Sequence, residues 1–165
     1  MDEQNLYESV LESLPEDAHH RVAWLALVRC FNSIERVLMR HFAQEYNSSL
    51  PRYDVLTALA LNRQGLTMGE LAAMLLVTKG NITGVVRRLQ VEKLVLKSTS
   101  SSDRRVQSVK ISAKGLRLWD TMHADYDRII SKLLDGQSDA QIKSLVAALR
   151  RTRKHVEHNA GKLPG

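Results

Sequence analysis

Residues 67–115 read TMGELAAMLLVTKGNITGVVRRLQVEKLVLKSTSSSDRRVQSVKISAKG, and their pattern decides the fold. The stretch opens on Thr67-Met68-Gly69-Glu70, a capping box in which Thr67 is the N-cap and Glu70 reaches back from the third helical position. Leu71, Met74 and Leu75 follow as the expected buried face of a short helix. After a turn at Leu76-Val77, Thr78 caps a second helix reaching about Glu92, with Ile82, Val85 or Val86, and Leu89 facing inward. Two short helices joined by so tight a turn make a helix-turn-helix. The period then drops to two. Leu94 and Leu96 alternate with Val95 and Lys97, a polar run crosses Ser98 to Ser102, and Gln107, Val109 and Ile111 share one face. This reads as a β-hairpin with a polar, basic tip, a wing directly after the second helix.

Helices are expected on both sides of this module. Residues 1–17 read as a short helical arm ending at Pro15. A long helix from about Asp17 to Tyr46 carries the stripe Trp24, Leu27, Val28, Phe31, Ile34, Leu38 and Phe42. Another begins near Pro51, buries Val55, Leu56 and Leu59, and is stopped by Gly65. Beyond the wing, Ser112 caps a helix with the stripe Leu116, Trp119, Met122, Tyr126, Ile129 and Leu133, broken at Asp135-Gly136. Ser138 and Gln141 form a second capping box, opening a last helix with Ile142, Leu145, Val146, Leu149 and Val156 on one side.

The charge is unevenly distributed. Between Thr78 and Arg117 stand ten basic side chains and two acids, Glu92 and Asp103, whereas the whole 165-residue chain has a net charge of only +6. A basic middle between near-neutral flanks is the footprint of a nucleic-acid-binding module; a solvated, salt-bridged surface is the alternative. Hydrophobic and charged fractions of 44% and 25% are those of an ordinary globular domain. The single cysteine, Cys30, excludes an intrachain disulfide, and the acidic N-terminus is no signal peptide. No apolar run is long enough to span a membrane. A reduced, cytoplasmic protein with no membrane partner is expected.

The order of these elements resembles the MarR/SlyA family of bacterial winged helix-turn-helix regulators. The resemblance rests on Pro51-Arg-Tyr-Asp-Val-Leu56, on Thr67-Met-Gly-Glu-Leu-Ala72, on Val77-Thr-Lys-Gly-Asn-Ile-Thr83, and on Asp103-Arg104-Arg105 followed by Val109-Lys-Ile-Ser-Ala-Lys-Gly115. It implies a mainly α fold: a winged helix-turn-helix with a two-stranded β-wing and a helical dimerisation region. The implied organisation is an arm and dimerisation helix over 1–46, a DNA-binding region over 47–115, and C-terminal dimerisation helices over 116–165. It implies a homodimer, and the residues agree, because the first and last two helices carry more apolar surface than the winged module could cover. The implied function is a ligand-responsive, sequence-specific DNA-binding regulator, usually a repressor, and not an enzyme. A winged-helix ligand-binding or protein-interaction module without DNA binding is the alternative.

In a helix-turn-helix the first residues of the reading helix meet base edges. Here those are Lys79, Asn81 and Thr83, with Lys suited to guanine, Asn to adenine, and Thr to base or phosphate. Gly80 and Gly84 serve either close approach to DNA or helix crowding. Arg87 and Arg88 suit phosphate oxygens, or alternatively a structural ion pair. By resemblance Arg105 enters the minor groove, Asp103 orients it, and Arg104 meets phosphate. A narrow A·T-rich groove favours such an arginine, while Asp103 is otherwise a simple turn residue. The expected target is a pseudo-palindromic double-stranded operator.

The family's usual effector is a small anionic aromatic or amphipathic molecule. The Leu50–Asp54 stretch and parts of the two short helices resemble a subgroup that answers to aromatic acids or their CoA thioesters. Candidate lining residues are Trp24, Arg40, His41, Tyr53, His123 and Tyr126. No catalytic motif is present, and no cofactor or metal is expected. His155 and His158 read as a solvated helix tail before half a zinc site, as do His19 and His20, and Cys30 reads as an inert buried thiol before a redox sensor.

Overall fold

The computed structural model describes residues 10, 13–15, 17–99 and 107–162. The long helix α1 spans His19–Tyr46 and ends where Asn47 takes a left-handed conformation, with the N–H groups of Asn47 and Ser48 both donating to the Phe42 carbonyl. Helix α2, Leu50–Leu61, carries Pro51 in its first turn, where a missing N–H costs nothing. It ends before Gly65, not at it. Gly65 sits instead at φ 93° in the turn into strand β1, Leu66–Thr67, and a Cβ there would lie 2.9 Å from the Val109 carbonyl oxygen.

Helix α3 is Met68–Met74, and its capping box is present in full. Helix α4 is Lys79–Val91, with the Thr78 hydroxyl accepting from the Asn81 N–H at 3.3 Å. Strands β2, Val95–Thr99, and β3, Gln107–Ile111, pair antiparallel with Val95 opposite Ile111 and Lys97 opposite Val109. β1 pairs with the other side of β3, Leu66 opposite Val109, so the sheet has three strands in the order β1-β3-β2. The two-stranded expectation missed β1 because two residues are too few to show a period.

Helix α5, Ala113–Leu133, starts as expected: the Ser112 hydroxyl accepts from the Gly115 N–H at 2.9 Å and donates to the Lys93 carbonyl. Gly115 is obligatory here, since a Cβ would lie 2.0 Å from the Leu94 carbonyl oxygen. Helix α6 is Asp139–Ala160, opened by the Ser138–Gln141 capping box. By contact the chain divides into two units, residues 1–129 and 130–165.

The main core joins Val55, Leu56 and Leu59 of α2, Leu71 of α3, Ile82, Val85, Val86 and Leu89 of α4, and Leu94, Val95 and Val109 of the sheet. Each large side chain fully buried contributes about 1.5–3 kcal/mol. Two expectations fail in detail. Met74 is 49% exposed, because α3 ends at that residue. Leu96 is 53% exposed and Val95 is 2% exposed. Lys93, at φ 60°, redirects the chain before β2, so Leu94 is buried ahead of the strand and the alternation starts at Val95. A second cluster, Phe42, Tyr53 and Met122, ties the end of α1 to α2 and α5.

The amphipathic stripes lie open within the chain itself. On α1 only Leu38 and Phe42 are buried, while Trp24 is 64% and Phe31 61% exposed. On α6 no described residue is buried, and Leu145, Val146, Leu149 and Val156 are exposed. Cys30 is exposed on α1, contrary to the buried thiol expected. Among the described residues no helix is long and apolar enough to cross a membrane.

Candidate nucleic-acid interface and aromatic cluster

Helix α4 divides cleanly. Ile82, Val85, Val86 and Leu89 are buried, and Lys79, Gly80, Asn81, Thr83, Gly84, Arg87 and Arg88 are exposed. The N-cap uses the backbone of Asn81, so its carboxamide stands outside the cap. Thr83 donates its hydroxyl to the Lys79 carbonyl at 2.7 Å, which leaves the oxygen's lone pairs outward. Lys79 leans back over α3, its Cε 3.7 Å from where a Gly69 Cβ would be. Neither Arg87 nor Arg88 has an ion pair among the described residues. Glu92, one of the two acids of the basic segment, is taken by Arg52 of α2. Helix crowding does not explain the glycines: a Cβ at Gly84 would meet nothing within 4 Å, and at Gly80 only the Thr78 hydroxyl at 3.9 Å.

Between α4 and the sheet lies a groove of about 420 Å³ with Met68, Val86 and Val109 as apolar floor and Arg87 and Lys97 as cations. Asp103, Arg104 and Arg105 lie outside the described residues.

Of the six candidate effector residues the structure brings three together. The Tyr53 and Tyr126 rings stack at 5.0 Å, and the Tyr53 hydroxyl lies 2.7 Å from His123 Nδ1. Burial pushes Tyr53 up to about 12, so the phenol keeps its proton. On the other side of the same ring, His123 Nε2 faces the Asp127 carboxylate at 3.8 Å. His41 stands at the edge of this cluster, its Nε2 2.8 Å from Asp125 Oδ2. Trp24 and Arg40 are exposed on α1, and neither shares in its ring contacts or hydrogen bonds.

Three members were absent from the candidate set. Trp119 stacks on His123 at 4.7 Å and donates its Nε1–H to Thr57 at 3.0 Å. Its spacing to His123 and Tyr126, four and seven residues, was visible as one helical face, but it was read as core. Asp125 accepts from Tyr46, His41 and Arg128, and hydrogen bonds from all three, Arg128 first, hold its carboxyl below the usual range. Burial, and then that bond to Asp125, push Tyr46 up to about 12. Tyr46 and Asp125 are 79 residues apart, so no local pattern announces them. Among the described residues no three metal-ligating side chains converge, and His158 is paired with Lys162.

A winged helix-turn-helix with an exposed basic reading helix defines a class, and comparison with known proteins gives the family. The MarR family model matches residues 48–106. The structure of a MarR family transcriptional regulator from Silicibacter pomeroyi is 30% identical, with 86% of this chain and 99% of that one covered and a TM-score of 0.71. The chain belongs to the MarR family of transcriptional regulators. It is similar to the transcriptional regulator MhqR of Bacillus subtilis, 23% identical over 78% of this chain and 87% of that protein. It is also similar to the transcriptional repressor IacR of Pseudomonas putida, 27% identical over 74% and 71%. Two further structures share the fold. One is MepR of Staphylococcus aureus in complex with DNA, 16% identical over 80% of this chain and 94% of that one, with a TM-score of 0.72. The other is CouR of Rhodococcus jostii bound to p-coumaroyl-CoA, 21% identical over 82% and 94%, also with a TM-score of 0.72. These relatives are regulators, not enzymes.

Proposed function

We propose that this regulator is a cytoplasmic homodimer that reads a pseudo-palindromic operator with α4 and the wing, and represses until a small anionic aromatic or amphipathic effector releases it. The observation that carries this reading is the outer face of α4: Lys79, Asn81 and Thr83 at its head, Arg87 and Arg88 further on, and two exposed glycines, with open space above Gly84. Lys79 and Asn81 specify bases, and Arg87 and Arg88 hold phosphate. In the wing, Asp103 orients Arg105 for the minor groove and Arg104 meets phosphate. MepR, of the same fold, is known in complex with DNA, and the relative IacR is a repressor.

The open stripes of α1 and α6 support the dimer, because apolar surface of that extent needs a cover. The aromatic cluster supports the effector. Trp119, His123 and Tyr126, each half-buried and stacked over the buried Tyr53, offer a ring surface on which an aromatic acid or its thioester can settle, with the His41–Asp125 pair near its edge. CouR, with p-coumaroyl-CoA bound, is a precedent for that ligand class on this fold. Selection of bound sequences from randomised duplexes tests the reading. It should enrich an inverted repeat with half-sites about 10 bp apart, centre to centre. No enrichment contradicts it.

A further inference from the structure

The basic segment around α4 is not the only cationic surface. In α6, taken by itself, Lys143, Arg150, Arg151, Lys154, His155 and His158 fall within one arc of about 140° at 3.6 residues per turn. Lys162 follows just beyond, its Nζ 2.7 Å from His158 Nε2. All of these side chains are exposed. The two acids of the helix, Asp139 and Glu157, stand about 20° beyond one edge of the arc, and Glu157 faces Arg153, further outside it, at 3.7 Å. Lys143, Arg150, Arg151 and Lys154 have no ion pair among the described residues. The apolar stripe of Ile142, Leu145, Leu149 and Val156 occupies the opposite side.

A solvated helix face mixes both signs at spacings of three and four, because like charges there repel. This face does the reverse: Arg150 and Arg151 each share a turn with Lys154. From Lys143 to Lys154 the helix rises about 16 Å, the length of roughly five phosphates along one DNA strand.

We infer that this face of α6 is a second DNA-binding surface, one that holds duplex phosphate without regard to sequence. Duplex DNA is the fitting polyanion because the face runs the length of several phosphates along one strand, and on the proposed function the protein works on duplex DNA. An anionic membrane fits less well. Insertion needs the apolar side of the helix, and on that same reading the partner protomer covers it.

The test compares the full-length protein with the variant Lys143→Gln, Arg150→Gln, Arg151→Gln, Lys154→Gln. Binding to a long scrambled duplex is followed by fluorescence anisotropy over a series of KCl concentrations. The variant should lose roughly a hundredfold in affinity at low salt, and its log–log salt slope should flatten by about 3 to 4. The swap Lys143→Arg, Arg150→Lys, Arg151→Lys, Lys154→Arg should bind as the parent does. Should the quadruple variant fail to fold, Arg150→Gln and Lys154→Gln singly should each flatten the slope by about one. An unchanged slope overturns the inference. So does a loss confined to RNA or to anionic phospholipid vesicles. The scrambled duplex contains no operator, so this result stands apart from the search for an inverted repeat.

Discussion

Asn81 and Arg87 lie on the same exposed face of α4 and are expected to do different work. The Asn81 carboxamide stands outside the helix cap and suits the paired donor and acceptor of adenine, whereas Arg87 has no protein partner among the described residues and suits phosphate. Arg87→Ala should weaken binding to all sequences about equally and flatten the salt slope by about two, one for each half-site of the dimer. Asn81→Ala should flatten base preference at one or two positions and leave the slope unchanged, since it removes no charge. Titrations against the selected operator and its point variants read both. Unchanged preference in Asn81→Ala would make that side chain structural. Asp54 gives a pH prediction. The residue as a whole is exposed, but desolvation of its carboxyl, and then Glu35, push it up to about 6. The folded state therefore binds the extra proton, and stability falls as pH rises from about 4 to 6 and stays lower above. Asp54→Asn should raise the melting temperature at about pH 7.5 and leave it unchanged at about pH 4. A gain at both, or at neither, would show that the carboxyl is not strained by its surroundings.

At the scale of the element, α4 contains a glycine that its own fold does not require. A Cβ at Gly84 has open space, and Ala in an exposed helix interior is favoured by about 0.5–1 kcal/mol. Gly84→Ala should therefore stabilise the protein by roughly that amount in urea denaturation and weaken operator binding. Stabilisation without weaker binding would show that α4 does not press its backbone toward DNA there. The elements most legible in the sequence were those whose signals are local. Thr67 with Glu70, Thr78, Ser112, and Ser138 with Gln141 act over three residues, and each caps where expected. Strand β1 and the role of Gly65 depend on β3, more than forty residues on, and no window of local sequence contains both. The side of β2 that faces inward differs from the expected one for a similar reason. It is set by the left-handed turn at Lys93 and by Ile111 opposite Val95, not by the alternation alone.

At the scale of the whole molecule, the proposed effector site was legible only where its members repeat along one helix. His123 and Tyr126 stand out in the sequence, Trp119 on the same face reads as core, and the Asp125 hub leaves no local trace because it is assembled from α1 and α5. Trp24 shows the converse: a conspicuous aromatic on a periodic stripe that stays 64% exposed within the chain. Together with Phe31 and the α6 stripe it argues for a second copy, and a symmetric dimer fixes the separation of its two reading helices. On the proposed function, two copies of α4, held at that separation, read one operator. The most direct measurement inserts base pairs between the half-sites of the selected operator and follows binding by anisotropy. Inserting about 5 bp, half a helical turn, places the half-sites on opposite faces of the duplex, and affinity should fall to that for scrambled DNA. Inserting about 10 bp keeps them on one face but a full turn further apart, and should also fail unless the dimer can stretch. Undiminished affinity for the 5 bp insertion would contradict the claim, since it would mean that each half-site is bound alone.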